Sequence, residues 1–202
     1  MFKPGNPEML ILLLITQGFN PNLSLGVLLP EEDTELYFGH VYHLRAENSF
    51  TRNVFAPGIF VDFLYKGNDP YNDPHFVNSG IQWVVKAGGG GLSLRYTPHR
   101  NFDFDITIGY YTGEMSYPVA NDSGIVSRQR IKRNSLGTTL AFNLHEYIGS
   151  IRTGIRIYVT LIPFGAKERP DIWWGEQPYD ELEYASLNSL GVGLTVGIGG
   201  KR

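Results

Sequence analysis

An all-β fold, closed as a barrel of eight antiparallel strands, is what the 202-residue sequence predicts, and three observations predict it. Apolar residues recur with period two in segment after segment from Leu23 onward, the signature of strands with two unlike faces. Clusters of Gly, Pro, Asn and Asp separate these segments, and no stretch keeps the helical period. The connections fall into a short set and a long set, as they do when hairpin-linked strands share one compact end. The length suits one such domain and excludes a large multidomain machine.

Composition narrows the class further. Glycine is abundant at 24 residues and charged residues make up only 18%, while 13% aromatics exclude a disordered chain. A net charge of −3 provides no broad basic field, so nucleic acid is not expected as a partner. With no cysteine there is no disulfide framework, thiolate metal site or cysteine nucleophile.

Taken from the N-terminus, residues 1–18 read as an export segment ahead of a single barrel domain over 19–202. Residues 9–15 are an unbroken apolar run, and Thr16-Gln17-Gly18 offers a small-residue cleavage region. Gly18, Asn20, Pro21 and Asn22 end the run far short of the roughly 20 residues a spanning helix needs. The first three strands are placed at 23–29, 36–45 and 54–65. In the second, His40 and His43 stand three apart and face opposite sides, which turns one of them to the apolar face and argues against a metal pair. No metal site and no cofactor are expected.

The fourth strand, 81–97, is counted as one strand bulged at the glycines 88–91. The apolar parity changes there, from Ile81, Trp83 and Val85 to Leu92 and Leu94. A turn at the glycines would make nine strands, and no Lys-Ser/Thr or helix follows them as a phosphate cradle requires. The fifth strand sets Phe102, Phe104, Ile106, Ile108 and Tyr110 against Asp103, Asp105, Thr107 and Gly109. The sixth sets Leu136, Leu140, Phe142 and Leu144 against Ser135, Gly137, Thr139, Ala141 and Asn143. In the seventh, Ile151, Ile155, Ile157, Val159 and Leu161 oppose Arg152, Gly154, Arg156, Tyr158 and Thr160. The eighth alternates Leu190, Val192, Leu194, Val196 and Ile198 with Gly191, Gly193, Thr195, Gly197 and Gly199. Joints at 46–53, 98–101 and 145–150 are short, whereas 66–79, 113–124 and 164–182 are long. The joint at 30–35 is the exception.

Alternation alone does not say which face looks outward, but the polar face does. A water-facing strand surface is normally rich in Lys and Glu, and here Gly, Ser, Thr and Asn dominate with scattered Asp and Arg. That composition suits the cramped interior of an eight-strand barrel, with the apolar strips turned to lipid. The expected fold is therefore an up-and-down transmembrane β-barrel. In its lumen Asp62, Asp103 and Asp105 would meet Arg95, Arg152 and Arg156, since unpaired buried charge is costly. Tyr65, Tyr96, Tyr110, Tyr111, Phe142, Tyr147 and Phe164 fall near strand ends, where interfacial aromatic belts occur. The competing reading is a soluble calycin-like barrel whose apolar strips line a ligand cavity.

The run Gly89-Gly-Gly-Leu-Ser-Leu-Arg-Tyr-Thr-Pro-His-Arg-Asn-Phe-Asp-Phe-Asp-Ile-Thr-Ile-Gly-Tyr-Tyr111, with the closing Leu190-Gly-Val-Gly-Leu-Thr-Val-Gly-Ile-Gly199, resembles the small outer-membrane β-barrel superfamily of OmpA- and OmpX-type domains. The resemblance covers most of 23–199 as a pattern. It implies a Gram-negative cell outer membrane, insertion by the barrel-assembly machinery, and a structural, adhesive or surface-recognition role. Some barrels of this size modify lipid A, which needs a hydroxyl nucleophile beside a His and an acid; no His-x-Ser arrangement is present, so no catalytic residue is expected. A narrow pore is a further alternative. Arg128, Arg130, Lys132 and Arg133 form the one local basic cluster, suited to lipopolysaccharide phosphates. Trp173, Trp174 and Tyr179, set among acidic residues in the last long loop, suit recognition of a partner or a divalent cation.

Overall fold

The computed structural model describes residues 20–30, 40–51, 53–67, 84–120, 126–163, 172–174, 177–179 and 187–198. The strands are β1 (Asn20–Pro30), β2 (Val41–Ser49), β3 (Phe55–Gly67), β4 (Val84–His99), β5 (Phe102–Ala120), β6 (Val126–Ile148) and β7 (Ile151–Leu161). A small hairpin of β8 (Ile172–Trp174) and β9 (Gln177–Tyr179) precedes the closing strand β10 (Ser189–Ile198). Antiparallel pairing runs β1-β10-β7-β6-β5-β4-β3-β2 and returns to β1, which closes an eight-strand barrel. Closure leaves no sheet edge, the condition for a sheet to stand in hydrocarbon. Even β2, at 9 residues, is long enough to cross a bilayer when tilted.

The faces are sorted as the period-two pattern predicts, with the apolar one outward. Val192 and Leu194 are 52% and 68% exposed, whereas Arg156 is 1% exposed inside the lumen. The apolar strips therefore form the outer wall and do not line a cavity, which overturns the calycin-like alternative. An aromatic chain runs across β3 to β6 at the short-turn end: Phe55 stacks on Tyr96 at 4.8 Å, and Phe104 contacts Phe142 at 5.1 Å. At the opposite end Tyr42 and Tyr65 stand directly across from each other, both exposed. Such girdles mark the two interfaces of a membrane barrel.

The short turns need little sequence. Gly149 takes φ +63° between the paired Ile148 and Ile151, the first central position of a type II′ hairpin, where glycine carries no Cβ penalty.

Four expectations are corrected. β4 runs through the glycines 88–91 in unbroken register with both neighbours, and its irregularity lies between Tyr96 and His99. The strand never changes its facing; Val85 and Ala87 point inward because the upper lumen is apolar. The inward Gly89 and Gly137 instead make a slot for the Tyr111 ring, since a Cβ on Gly137 would lie 2.7 Å from Tyr111 Cε2. Residues 113–120 are strand, not loop, and pair with 126–133 as a continuation of the β5–β6 ribbon. β2 begins at Val41 and ends at Ser49, so His40 precedes it and His43 is buried in the lumen. Tyr111 is likewise a lumen residue and Tyr147 lines the mouth at the short-turn end, so neither belongs to the belt. Phe164 and the export segment 1–18 lie outside the described residues.

Candidate functional site

Strand register brings the lumen charges together. Arg45 on β2 sits directly across from Asp62 on β3, and Arg95 on β4 across from Asp105 on β5. Inward residues that face each other across a ladder come within reach of a direct bond. Arg45 grips Asp62 with two parallel bonds, Nε to Oδ1 and Nη2 to Oδ2, each 2.6 Å. Tyr111 donates its hydroxyl to the same carboxylate at 2.6 Å, and His43 Nε2 lies 3.0 Å from Oδ1. His43 is held from its other nitrogen by the Tyr158 hydroxyl at 2.9 Å, and the Arg45 guanidinium lies over the Phe60 ring at 4.5 Å.

A second cluster fills the lumen toward the short turns. Asp105 accepts from Arg95 Nε at 2.9 Å and from Arg156 Nη1 at 2.9 Å. Asp103 accepts from Arg152 Nη1 at 3.2 Å, and Asn143 donates to Asp103 and Asp105 at 2.5 and 2.8 Å. Glu47 completes the group, 3.2 Å from Arg95 Nη2 and 3.8 Å from Arg156 Nη1. In these two clusters four guanidinium groups thus meet four carboxylates, so the buried charge is neutral overall, as a low-dielectric interior demands.

All six expected residues, Asp62, Arg95, Asp103, Asp105, Arg152 and Arg156, stand in the lumen. Asp62 is the exception to the expected pairing, because its partner is Arg45. Arg45, Glu47, His43 and Asn143 join the charge network beyond the six residues expected from the sequence. Their signal was the alternation Tyr42-His43-Leu44-Arg45-Ala46-Glu47, which carries the second strand past Arg45.

Above the charges the lumen is apolar. Leu28, Val41, Leu64, Val85, Ile162 and Leu187 are all buried there, with the Tyr111 ring packed beside Phe60. The polar filled lumen expected from the sequence is thus polar only in part, and this layer closes it toward the long-loop end. In a planar bilayer the purified protein is accordingly expected to show no single-channel steps above baseline. Reproducible openings would mean that the apolar layer moves.

The outer surface is carried by the β5–β6 ribbon, which continues past the last β6–β7 rung at Thr138 and Leu161. Arg130 and Lys132 are exposed on one side of it, Lys132 Nζ lying 3.4 Å from Glu114 Oε2. Arg133 falls on the other side by the alternation of the strand, and Arg128 pairs with Pro118 in the ladder. The basic run is therefore split between two faces. Trp173, Trp174 and Tyr179 stand on the β8–β9 hairpin, Trp173 opposite Pro178 and Tyr179 opposite Ile172, while their side chains lie outside the described part of the structure. Among the described residues no group of three or more His, Asp or Glu is arranged to hold a metal ion.

A closed antiparallel wall that is oily outside, belted by aromatics at both ends and charged within defines a small transmembrane β-barrel of the outer-membrane type, seated in that membrane. Among solved structures the chain is similar to the N-terminal β-barrel domain of Pseudomonas aeruginosa OprF, at 11% identity and TM-score 0.48 over 90% of this chain and 98% of that one. It is also similar to Neisserial surface protein A, at 10% identity and TM-score 0.44 over 90% and 94% of the two chains. The attachment invasion locus protein Ail of Yersinia pestis shares 8% identity and TM-score 0.45 over 90% and 95%. No protein-family model matches the sequence, and no curated protein matches it.

Proposed function

We propose that this barrel is a non-enzymatic surface protein, structural or adhesive, whose working part is the projecting β5–β6 ribbon together with the outer loops. The observation that carries this reading is the closed lumen combined with a ribbon that rises beyond its neighbours and shows Arg130 and Lys132 on one exposed side. Apolar side chains packed across the lumen toward the long-loop end leave solute no through route. Exposed cations at the height of the outer leaflet suit the phosphates of lipopolysaccharide, and the 3.4 Å contact of Lys132 with Glu114 is a surface pair of small net worth. Trp173, Trp174 and Tyr179 supply the aromatic surface for a macromolecular partner. Residues 1–18 act in this reading as the export segment, and the barrel-assembly machinery inserts the chain.

The test is binding of the detergent-solubilised protein to immobilised lipopolysaccharide. The double substitution Arg130→Glu with Lys132→Glu is expected to weaken it about ten- to thirtyfold, since each basic group near an anionic surface contributes about 1 kcal/mol. The heat-dependent gel shift of the folded barrel should not change. Undiminished binding by the double variant would remove the ribbon from the interface.

A further inference from the structure

The lumen is closed at the long-loop end, but at the short-turn end it opens into a cavity of about 270 Å³ whose lining includes Arg95, Arg100, Arg152, Ser49 and Tyr147. No Asp or Glu belongs to that lining among the described residues. Arg152 is the lumen guanidinium turned most to this space: its side chain is 13% exposed, against 5% for Arg95 and 1% for Arg45 and Arg156. Arg152 gives one bond, to Asp103, and a guanidinium has five N–H donors. Arg100 on the rim bonds only to the side chain of Asn101 and meets no carboxylate among the described residues. Ser49 is 2% exposed, and its hydroxyl finds no hydrogen-bond partner in the protein although it borders the cavity. Buried hydroxyls are normally paired, so an unpartnered one beside spare guanidinium donors marks a place for an acceptor from outside.

We propose that this mouth binds the phosphate group of a phosphate ester, with Arg152 and Arg100 as its cationic grips and Ser49 as an added donor. Guanidinium forks match phosphate oxygens in pairs, and a cavity of this size admits a headgroup, not a whole lipid. The aromatic ring of Phe55, Tyr96, Phe102 and Phe104 sets the same level as the membrane interface, where phospholipid headgroups lie. The ester is therefore either that of an inner-leaflet lipid or of a free solute on that side, and both carry the same group.

Two measurements on the full chain in a phosphate-free glycoside detergent separate the sources. Calorimetric titration with glycerol 3-phosphate reads the free ester, and native mass spectrometry after detergent exchange reads retained phosphatidylglycerol. Saturable binding in either, weakened at least tenfold or lost in R152Q and R100Q, supports the site and names the source. K86Q removes a cation from the outer wall and should leave the binding as it is. R100Q alters an exposed turn residue, so it remains informative if R152Q does not fold. Saturation with neither probe, or equal weakening by K86Q, overturns the proposal.

Discussion

Replacement of Asp62 by alanine is expected to lower the stability of the folded barrel by about 3–5 kcal/mol, the usual cost of leaving a buried charge without its partner. The carboxylate takes both 2.6 Å bonds of Arg45, the Tyr111 hydroxyl at 2.6 Å and the nearby His43 Nε2 at 3.0 Å. Without it Arg45 keeps the neutral Thr139 Oγ1 at 3.2 Å, the Phe60 ring and the more distant charge of Glu47, which is already shared with Arg95 and Arg156. The unfolded chain holds these groups in water, so their desolvation falls wholly on the folded state. Asp62→Asn keeps an acceptor oxygen but loses the charge, and should fall between wild type and alanine. Asp62→Leu combined with Arg45→Met should recover more than half of the loss, because removing both charges leaves nothing uncompensated. The measurement is a urea titration in lipid vesicles, with folded fraction read from the gel shift. A loss under about 1 kcal/mol for Asp62→Ala, or a double variant worse than either single, would show that the pair is not the determinant it appears on burial grounds.

The same pair marks what the sequence could and could not disclose. The facing of β10 was legible because its outward residues are oily without interruption and its inward ones small, and β7 and β5 keep the same split over most of their length, broken outward at Thr153 and beyond Tyr110. Polarity alone then separates the two sides. At β4 that rule failed, since it reads every apolar residue as outward. Val85 and Ala87 belong to the apolar layer of the lumen, and the parity change they create looks like a bulge when it is a change of filling along a straight strand. Which carboxylate meets which guanidinium depends on ladder register, and a strand ended at Arg45 leaves Glu47 in a turn. The ribbon of β5 and β6 was hidden for a related reason. Residues 113–120 include glycine and proline, which signal a loop in isolation but are tolerated in a strand whose partner is already fixed below.

The orientation of the wall leads to the second large effect. Leu194 is the third of five outward residues on β10, 68% exposed and level with Leu25 and Ile155 on the neighbouring strands, which places it near the middle of the hydrocarbon. Leu194→Arg is expected to cost about 2–4 kcal/mol of folding free energy in lipid, whereas the same change at Ile198, at the end of the strand, costs about 0–1 kcal/mol. The gradient arises because an arginine near the interface extends its charge into the headgroups, while one at the midplane must thin the bilayer or draw water inward. In a water-exposed barrel neither substitution would matter, because an outward leucine gains nothing from solvent and an arginine there is fully hydrated. Urea titrations of the two variants in vesicles therefore read the environment of the wall directly. A flat response, with Leu194→Arg as harmless as Ile198→Arg, would take the apolar strips out of the membrane and with them the reason for a closed sheet around a charged core.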